Sequence, residues 1–283
     1  MAALDRRLQI RRAIDRAMVG VMIASTGLVG AVLLIIVVYI LVRGISYINF
    51  EFLTAMPVPL GEPGGGIVNA IVGSLILVGL ASVLSVPIGV GAAVYMTEFP
   101  GRILPGAVRF LADTLTGVPS IVVGLFVYAL VVKPTRTFSG WSGAAALGFI
   151  MLPIVIITAQ EALRLVPGNL REAALALGVP RWRMIMRVVL PSARRALLTG
   201  LILAFARALG ETAPLLFTAF GNRFWNTDPS KPIAAVPLVV YRYATGPYDE
   251  WHRQAWAAAF MLLVVVFGVS LATRLLFRGR YEE

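Results

Sequence analysis

Six apolar stretches dominate this sequence, running over residues 18–42, 67–95, 108–132, 142–163, 196–220 and 254–277. Each approaches or exceeds the ~20 residues a helix needs to cross a hydrocarbon core, where only a structure that satisfies its own backbone survives. The chain is 59% hydrophobic and only 14% charged, too apolar for a water-facing core of this length. The pattern predicts an all-α integral membrane protein with six transmembrane helices. Pro87, near the middle of the second stretch, predicts a kink. Pro119 and Pro153 interrupt the third and fourth, which is tolerable where neighbouring helices cover the freed carbonyls. The first stretch follows Arg6, Arg7, Arg11 and Arg12. It is too long for the core of a signal peptide and reads as a retained span.

The net charge of +11 has a topological explanation. With the N-terminus inside, the inner segments collect most of the arginines, among them Arg102, Arg109, Arg164, Arg171, Arg181, Arg183, Arg187, Arg194, Arg195, Arg274, Arg278 and Arg280. That bias predicts cytoplasmic termini at both ends and argues against nucleic acid as a partner. There is no cysteine, which excludes disulfides and thiolate metal sites. His252, the one histidine, reads as structural. The two lysines, Lys133 and Lys231, each precede proline, so no phosphate-binding loop ending Gly-Lys-Ser/Thr is present. No cofactor is expected, and any ATP must be bound by another chain.

Between the fourth and fifth stretches the sequence predicts a helix–turn–helix outside the membrane. Leu170, Ala173, Ala174 and Leu177 repeat at helical spacing, Gly178-Val179-Pro180 breaks the chain, and Trp182, Ile185, Met186 and Val189 resume it. Asn169 with Glu172 suggests a capping box for the first arm. Such a hairpin either rests on the lipid interface or docks a soluble partner, with Ala173, Ala174 and Gly178 permitting close approach.

Glu172-Ala173-Ala174, Gly178 and, after the second arm, Leu190-Pro191 resemble the EAA loop of ABC importer permeases. The resemblance implies a type I importer architecture whose cytoplasmic coupling helix seats in a partner ATPase. Further motifs are similar to the phosphate-specific Pst-type permeases, and among these to the A-type subunit. They are Asn69 to Ser74, Asp113 to Gly124, Ala206 to Pro214, Phe224-Trp225, Pro232 to Pro237, Glu250-Trp251 and Ala255-Trp256-Ala257. This implies a non-enzymatic subunit of the bacterial inner membrane that translocates inorganic phosphate. Its implied partners are a second, C-type permease chain, two cytoplasmic ATP-binding subunits, an extracytoplasmic phosphate-binding protein and the lipid bilayer. The expected organisation is 1–66 as tail, first span and outer loop, 67–277 as permease domain and 278–283 as tail.

Arg207 and Glu211 are expected near the middle of the fifth span, on one helix face with Gly200, Ala204 and Pro214. A charge at the bilayer centre costs roughly 2.5–3.5 kcal/mol even on lenient scales. The pair is either a structural salt bridge or a fixed cation for an oxyanion with Glu211 orienting it; guanidinium suits bidentate phosphate contact. Thr212, Ser120, Asp113 and Glu161 complete the candidate pathway, although Ser and Thr hydroxyls often bond back to their own helix. Relatives place an arginine three residues before the position of Glu161; here Thr158 stands there, and Glu161 is expected to pair with Arg164. The aromatic segment 221–252 reads as an outer loop, anchored at the interface or receiving a binding protein. Rival readings are a permease for sulfate or molybdate, or a secondary transporter or channel acting alone, for which an inverted repeat is expected.

Overall fold

Helix accounts for nearly all the order in the computed structural model, which describes residues 2–59, 62, 64–99, 101 and 103–277, with side chains from residue 11 onward apart from 103, 274, 276 and 277. The side chains of Arg6, Arg7, Arg102, Arg274, Arg278 and Arg280, and the tail 278–283, lie outside the described residues. Helix α1 spans Ala2–Ile45, α2 Phe50–Thr54, α3 Val68–Glu98 and α4 Ile103–Thr116. Next come α5 (Ser120–Thr135), α6 (Gly140–Arg164) and α7 (Gly168–Ala176). They are followed by α8 (Arg181–Leu209), α9 (Ala213–Leu216), α10 (Val236–Ala244) and α11 (Asp249–Phe277). Among the described residues five helices are long and apolar enough to cross a membrane, and α4 with α5 forms a bent pair that is either a sixth, broken span or a re-entrant loop.

The prolines act differently by context. α3 runs through Pro87 and α6 through Pro153 without interruption. The expected third span instead breaks at Gly117-Val118-Pro119, where α4 and α5 meet at 106°. Pro119 supplies no N–H and, with φ −57° and ψ 133°, leaves the helical region to start a new helix. Gly117 and Val118 donate to Thr114 and Leu115, closing the last turn of α4.

The fifth helix differs most from expectation. α8 begins at Arg181, so the second arm of the hairpin and the span are one helix of 29 residues, about 44 Å long. Pro191 sits inside it without breaking it. Its missing N–H is absorbed by a π-helical turn over Ile185–Val189, in which Leu190 donates to Ile185.

The core is made by α3, α6 and α8, whose backbones approach at glycines, as expected where helices pack without a hydrophobic drive from lipid. A Cβ on Gly89 would lie 2.6 Å from Val155 Cγ1, and one on Gly200 2.6 Å from Thr158 Oγ1. Leu77, Val78 and Ala81 of α3 pack there with Leu147, Met151 and Val155 of α6 and Ala204 and Ala208 of α8. Gly200 and Ala204 therefore serve packing within this chain. Thr158 also donates to the Ile154 carbonyl and lines a cleft that it shares with Glu161.

α1 packs along α11 through an edge-on Tyr39–Trp256 pair and Gly44 against the Trp256 carbonyl. The Tyr47 hydroxyl donates to Glu250. Most of its remaining surface is apolar and exposed, as at Leu28, Val29 and Ile35, which suits lipid. The segment between α1 and α3 is built in rather than loose. Asn49 caps α2 by accepting from the Phe52 N–H at 2.7 Å, and Phe52 packs with Ala234, Val236, Ala257 and Ala258.

Gly73 touches the Ala234 carbonyl, a backbone atom that cannot give way. Gly73→Val is expected to destabilise the purified protein by about 1–3 kcal/mol through overpacking. Gly79→Ala, where a Cβ meets open space, is the matched control. Thermal unfolding in detergent reads the difference.

Candidate functional site

Two regions carry the candidate residues, at opposite ends of α8. At its start, α7 and the first turns of α8 form the hairpin. α7 begins at Gly168 with Pro167 as its N-cap and no side-chain capping bond, so Asn169 lies inside the helix and the expected capping box does not form. The turn is a Schellman motif: Gly178, at φ +76°, donates to Leu175, and Val179 donates to Ala174. Any side chain is strained at that φ.

Ala174 is buried, in a cluster with Met184, Ile185 and Val189, so its small size serves packing inside the chain. Glu172 and Ala173 are exposed. Leu170, Leu175, Leu177, Trp182 and Met186 also face outward, Leu177 at 83%. Only part of each apolar stripe thus turns inward, and the hairpin presents an apolar surface flanking Glu172. Leu190 is half-buried against the same cluster, and Pro191 is exposed.

At the far end, α8 stops at Leu209 with Gly210 as C-cap. Pro214 cannot donate to Gly210 and Gly210 is a poor helix former, so the expected continuous span to Phe220 is not made. Arg207 occupies the last turn, where a cation is favoured by the helix dipole. Its Nη2 lies 3.5 Å from Glu211 Oε1, with side-chain exposures of 59% and 14%. Glu211 lies beyond the helix end, so the pair spans a helix terminus rather than one continuous face. Pro214 packs on Gly124, away from Arg207.

The segment 221–252, expected as an outer loop, enters the bundle. Asn222, Asn226 and Asp228 each accept from the backbone N–H two residues on. The Ser230 N–H is the main cause that holds the Asp228 carboxyl below its usual range. From there Ile233, Ala234 and Ala235 run buried into the protein. Ala235 and Pro237 reach Leu77, Leu147, Ala208 and Leu209, and α10 turns back outward. Ser74 Oγ receives the Val236 N–H at 2.8 Å, giving the buried tip its acceptor.

A cleft of about 490 Å³ opens beside this tip. It is lined by Arg207, Gly210, Glu211 and Thr212, by Pro237 and Val240 of α10, and by α11. The structure thus brings Arg207, Glu211 and Thr212 together. None of the other candidates lines this cleft. Asp113 pairs with Arg109 at 3.0 Å on α4, and Arg109 also donates to Gln160 of α6. Ser120 opens α5 and is half-buried. Thr114 and Thr116 bond back to the carbonyls of Phe110 and Ala112.

Glu161 faces a separate cleft of about 690 Å³ on the hairpin side, with Arg194, Arg195, Ser192 and Thr199. Among the described residues no ion pair joins it to Arg164, which is the last residue of α6 while Glu161 turns toward α8. Of the aromatic residues, Tyr243 is buried and stacks on Trp251 at 5.0 Å, whereas Phe224 and Trp225 are exposed. His252 Nε2 bonds the Gly246 carbonyl, a structural role.

Pro237 and Val240 were missed as lining residues. Their signal is a short apolar run between prolines, too short to span and therefore suited to a re-entrant segment.

Ser74→Ala leaves the Val236 N–H buried without an acceptor and is expected to cost about 1–3 kcal/mol. Ser82→Ala, which removes only a back-bond to Val78, should leave the unfolding midpoint close to wild type. Thermal unfolding compares the two.

The profile described as "Binding-protein-dependent transport system inner membrane component" matches residues 85–280. The chain is 44% identical over 236 residues to the "Phosphate transport system permease protein PstA" of Yersinia pestis, covering 83% of this chain and 80% of that one. It is 48% identical over 237 residues to the protein of the same name from Xylella fastidiosa (strain 9a5c), covering 83% and 82%. Among solved structures, an inward-facing form of the MetNI methionine ABC transporter superposes with a TM-score of 0.58 at 18% identity. That match covers 75% of this chain and 93% of the other, and it speaks to the fold alone.

Proposed function

Since this chain belongs to the family of binding-protein-dependent transport system inner membrane components, we propose that it is the permease subunit of an ABC importer that carries inorganic phosphate into the cell, driven by ATP hydrolysis on partner chains. It is a multi-pass inner-membrane transport subunit, with residues 67–277 as its permease domain. The arginine bias in the sequence puts both termini and the hairpin in the cytoplasm.

The observation that carries the phosphate reading is Arg207, placed where α8 breaks off and lining a cleft with Glu211 and Thr212. Broken helices are where transporters bind ions. The end offered here is a C-terminal one, whose carbonyls do not attract an anion, so the guanidinium supplies the attraction. A guanidinium there meets two phosphate oxygens at once. Glu211, 86% withdrawn from solvent, orients it through a 3.5 Å contact that an anion can displace. Binding is weak by design, since a pathway must release its ion. Glu161, in the hairpin-side cleft with Arg194 and Arg195, belongs to the exit; Asp113 and Ser120 are assigned no contact with the anion.

The hairpin supplies the drive. Glu172 and Ala173, flanked by exposed Leu170, Leu177, Trp182 and Met186, form the seat for a cytoplasmic ATPase. Two such ATPase subunits, a second permease chain and an external phosphate-binding protein complete the importer.

In proteoliposomes holding the complete complex, ATP-dependent phosphate uptake is expected to fall about tenfold or more in Arg207→Gln, a transition-state loss of at least ~1.4 kcal/mol. Glu172→Ala is expected to lower uptake through weaker ATPase coupling. Unchanged uptake in Arg207→Gln removes this cation from the pathway. Preference for sulfate or molybdate over phosphate in the wild type, or uptake without ATPase subunits, favours the corresponding rival.

A further inference from the structure

α7 is poorly held by packing. Its one buried residue is Ala174, and its C-terminal end is the Gly178 turn. Yet on the functional reading above it is this helix that receives the push of the ATPase. Beyond that packing, the side-chain hydrogen bonds that join it to the ends of α3 and α6 among the described residues come from one residue that no motif singled out.

The Arg171 guanidinium makes three contacts with three separate acceptors. Nε donates to Glu98 Oε1 at 3.0 Å, Nη1 to the Val166 carbonyl at 2.6 Å and Nη2 to the Leu163 carbonyl at 2.8 Å. Leu163 and Val166 flank the C-terminal end of α6, where carbonyls run short of helical N–H partners and Leu163 keeps a turn bond from the Val166 N–H at 3.3 Å. Glu98 is the last residue of α3. A carboxylate there is repelled by the helix dipole and, at 5% side-chain exposure, has little water to solvate it. Arg171 is itself 19% exposed. One planar cation therefore closes the ends of two spans at once and neutralises the charge that one of them buries. Lysine has three donors on one nitrogen but lacks the planar fork that reaches three separated acceptors at once. The other arm has no such need, being continuous with α8 through the π turn. Besides its packing through Met184, Ile185 and Val189, it adds a contact of Arg181 over the Phe99 ring at 5.8 Å.

We propose that Arg171 is a positioning residue that couples the hairpin to transport, locking α7 onto the cytoplasmic ends of α3 and α6 so that ATPase-driven movement of α7 reaches both spans. The proposal rests on the ABC-importer reading and deepens it. The hairpin then has two outputs: a covalent lever through α8 toward Arg207, and a polar joint through Arg171 to the packed α3–α6 pair. Loss of the joint lets α7 follow the ATPase while α3 and α6 lag.

The test uses the complete complex in proteoliposomes, reading ATP hydrolysis and phosphate uptake on the same preparation. Arg171→Gln is expected to keep hydrolysis within about twofold of wild type while uptake falls about tenfold, and Arg171→Lys to fall between. Because this chain contains no cysteine, Glu98→Cys/Arg171→Cys is a clean second variant. It is expected to hydrolyse ATP without uptake until a short thiol cross-linker rejoins the two positions and restores uptake. The proposal is overturned if Arg171→Gln leaves uptake unchanged. It is equally overturned if hydrolysis and uptake fall in proportion and the cross-link restores neither, because Arg171 then only supports folding. A wild-type complex without ATP-dependent phosphate uptake strikes the importer reading instead, while a fall in hydrolysis-coupled uptake of any other ion leaves the joint standing.

Discussion

Every backbone polar group that this chain buries in the bilayer must find its partner inside the protein, and the architecture follows from that constraint. Unbroken helices meet it by themselves. Each place where α-helix stops needs a named substitute. At the start of α6, Ser139 and Ser142 cap each other's N–H groups, and Ser142 also donates to the Thr218 carbonyl in the segment after α8. At the buried tip before α10, Ser74 accepts from Val236. At the hairpin side of α6, Arg171 covers two carbonyls. These few polar side chains allow irregular backbone to exist between α3, α6 and α8, and so allow a cleft at Arg207.

The same constraint explains why the two candidate regions are mechanically linked. Proline in mid-helix ordinarily frees a carbonyl and invites a break. At Pro191 the chain widens one turn instead, so a rigid helix runs from Arg181 to Leu209. Its first turns pack with α7, and its last carries Arg207. A rigid rod moved at one end moves at the other, whereas a hairpin joined by a flexible loop would dissipate the motion. At Gly210, with Pro214 four residues on, no such widening occurs and the rod ends beside the cleft.

Much of this was legible in sequence. The apolar runs predict the helices that became α1, α3, α6 and α11 because helix in lipid is dictated locally, residue by residue. Arg207 and Glu211 were legible because charges amid apolar residues are expensive. Their linear spacing, however, suggested one continuous helical face, and only the chain's departure from helix at Gly210 shows that the ion pair bridges a helix end. Gly200 and Ala204 were assigned to the face of Arg207, yet they turn toward Thr158 and the core. Small residues record close approach without saying to what.

What sequence determined by itself was class: apolar helices crossing a membrane, a basic hairpin before the fifth apolar segment, and a cation set among apolar residues within it. Those follow from transfer free energies and helix periodicity, which depend on neighbours a few positions away. Tertiary structure decided the rest. Whether a proline breaks (Pro119) or is absorbed (Pro153, Pro191), that Ile233 to Pro237 dips inward, and that Arg171 reaches Glu98 across 73 positions depend on partners supplied by distant helices. No local pattern encodes a hydrogen-bond acceptor that arrives only when the bundle closes.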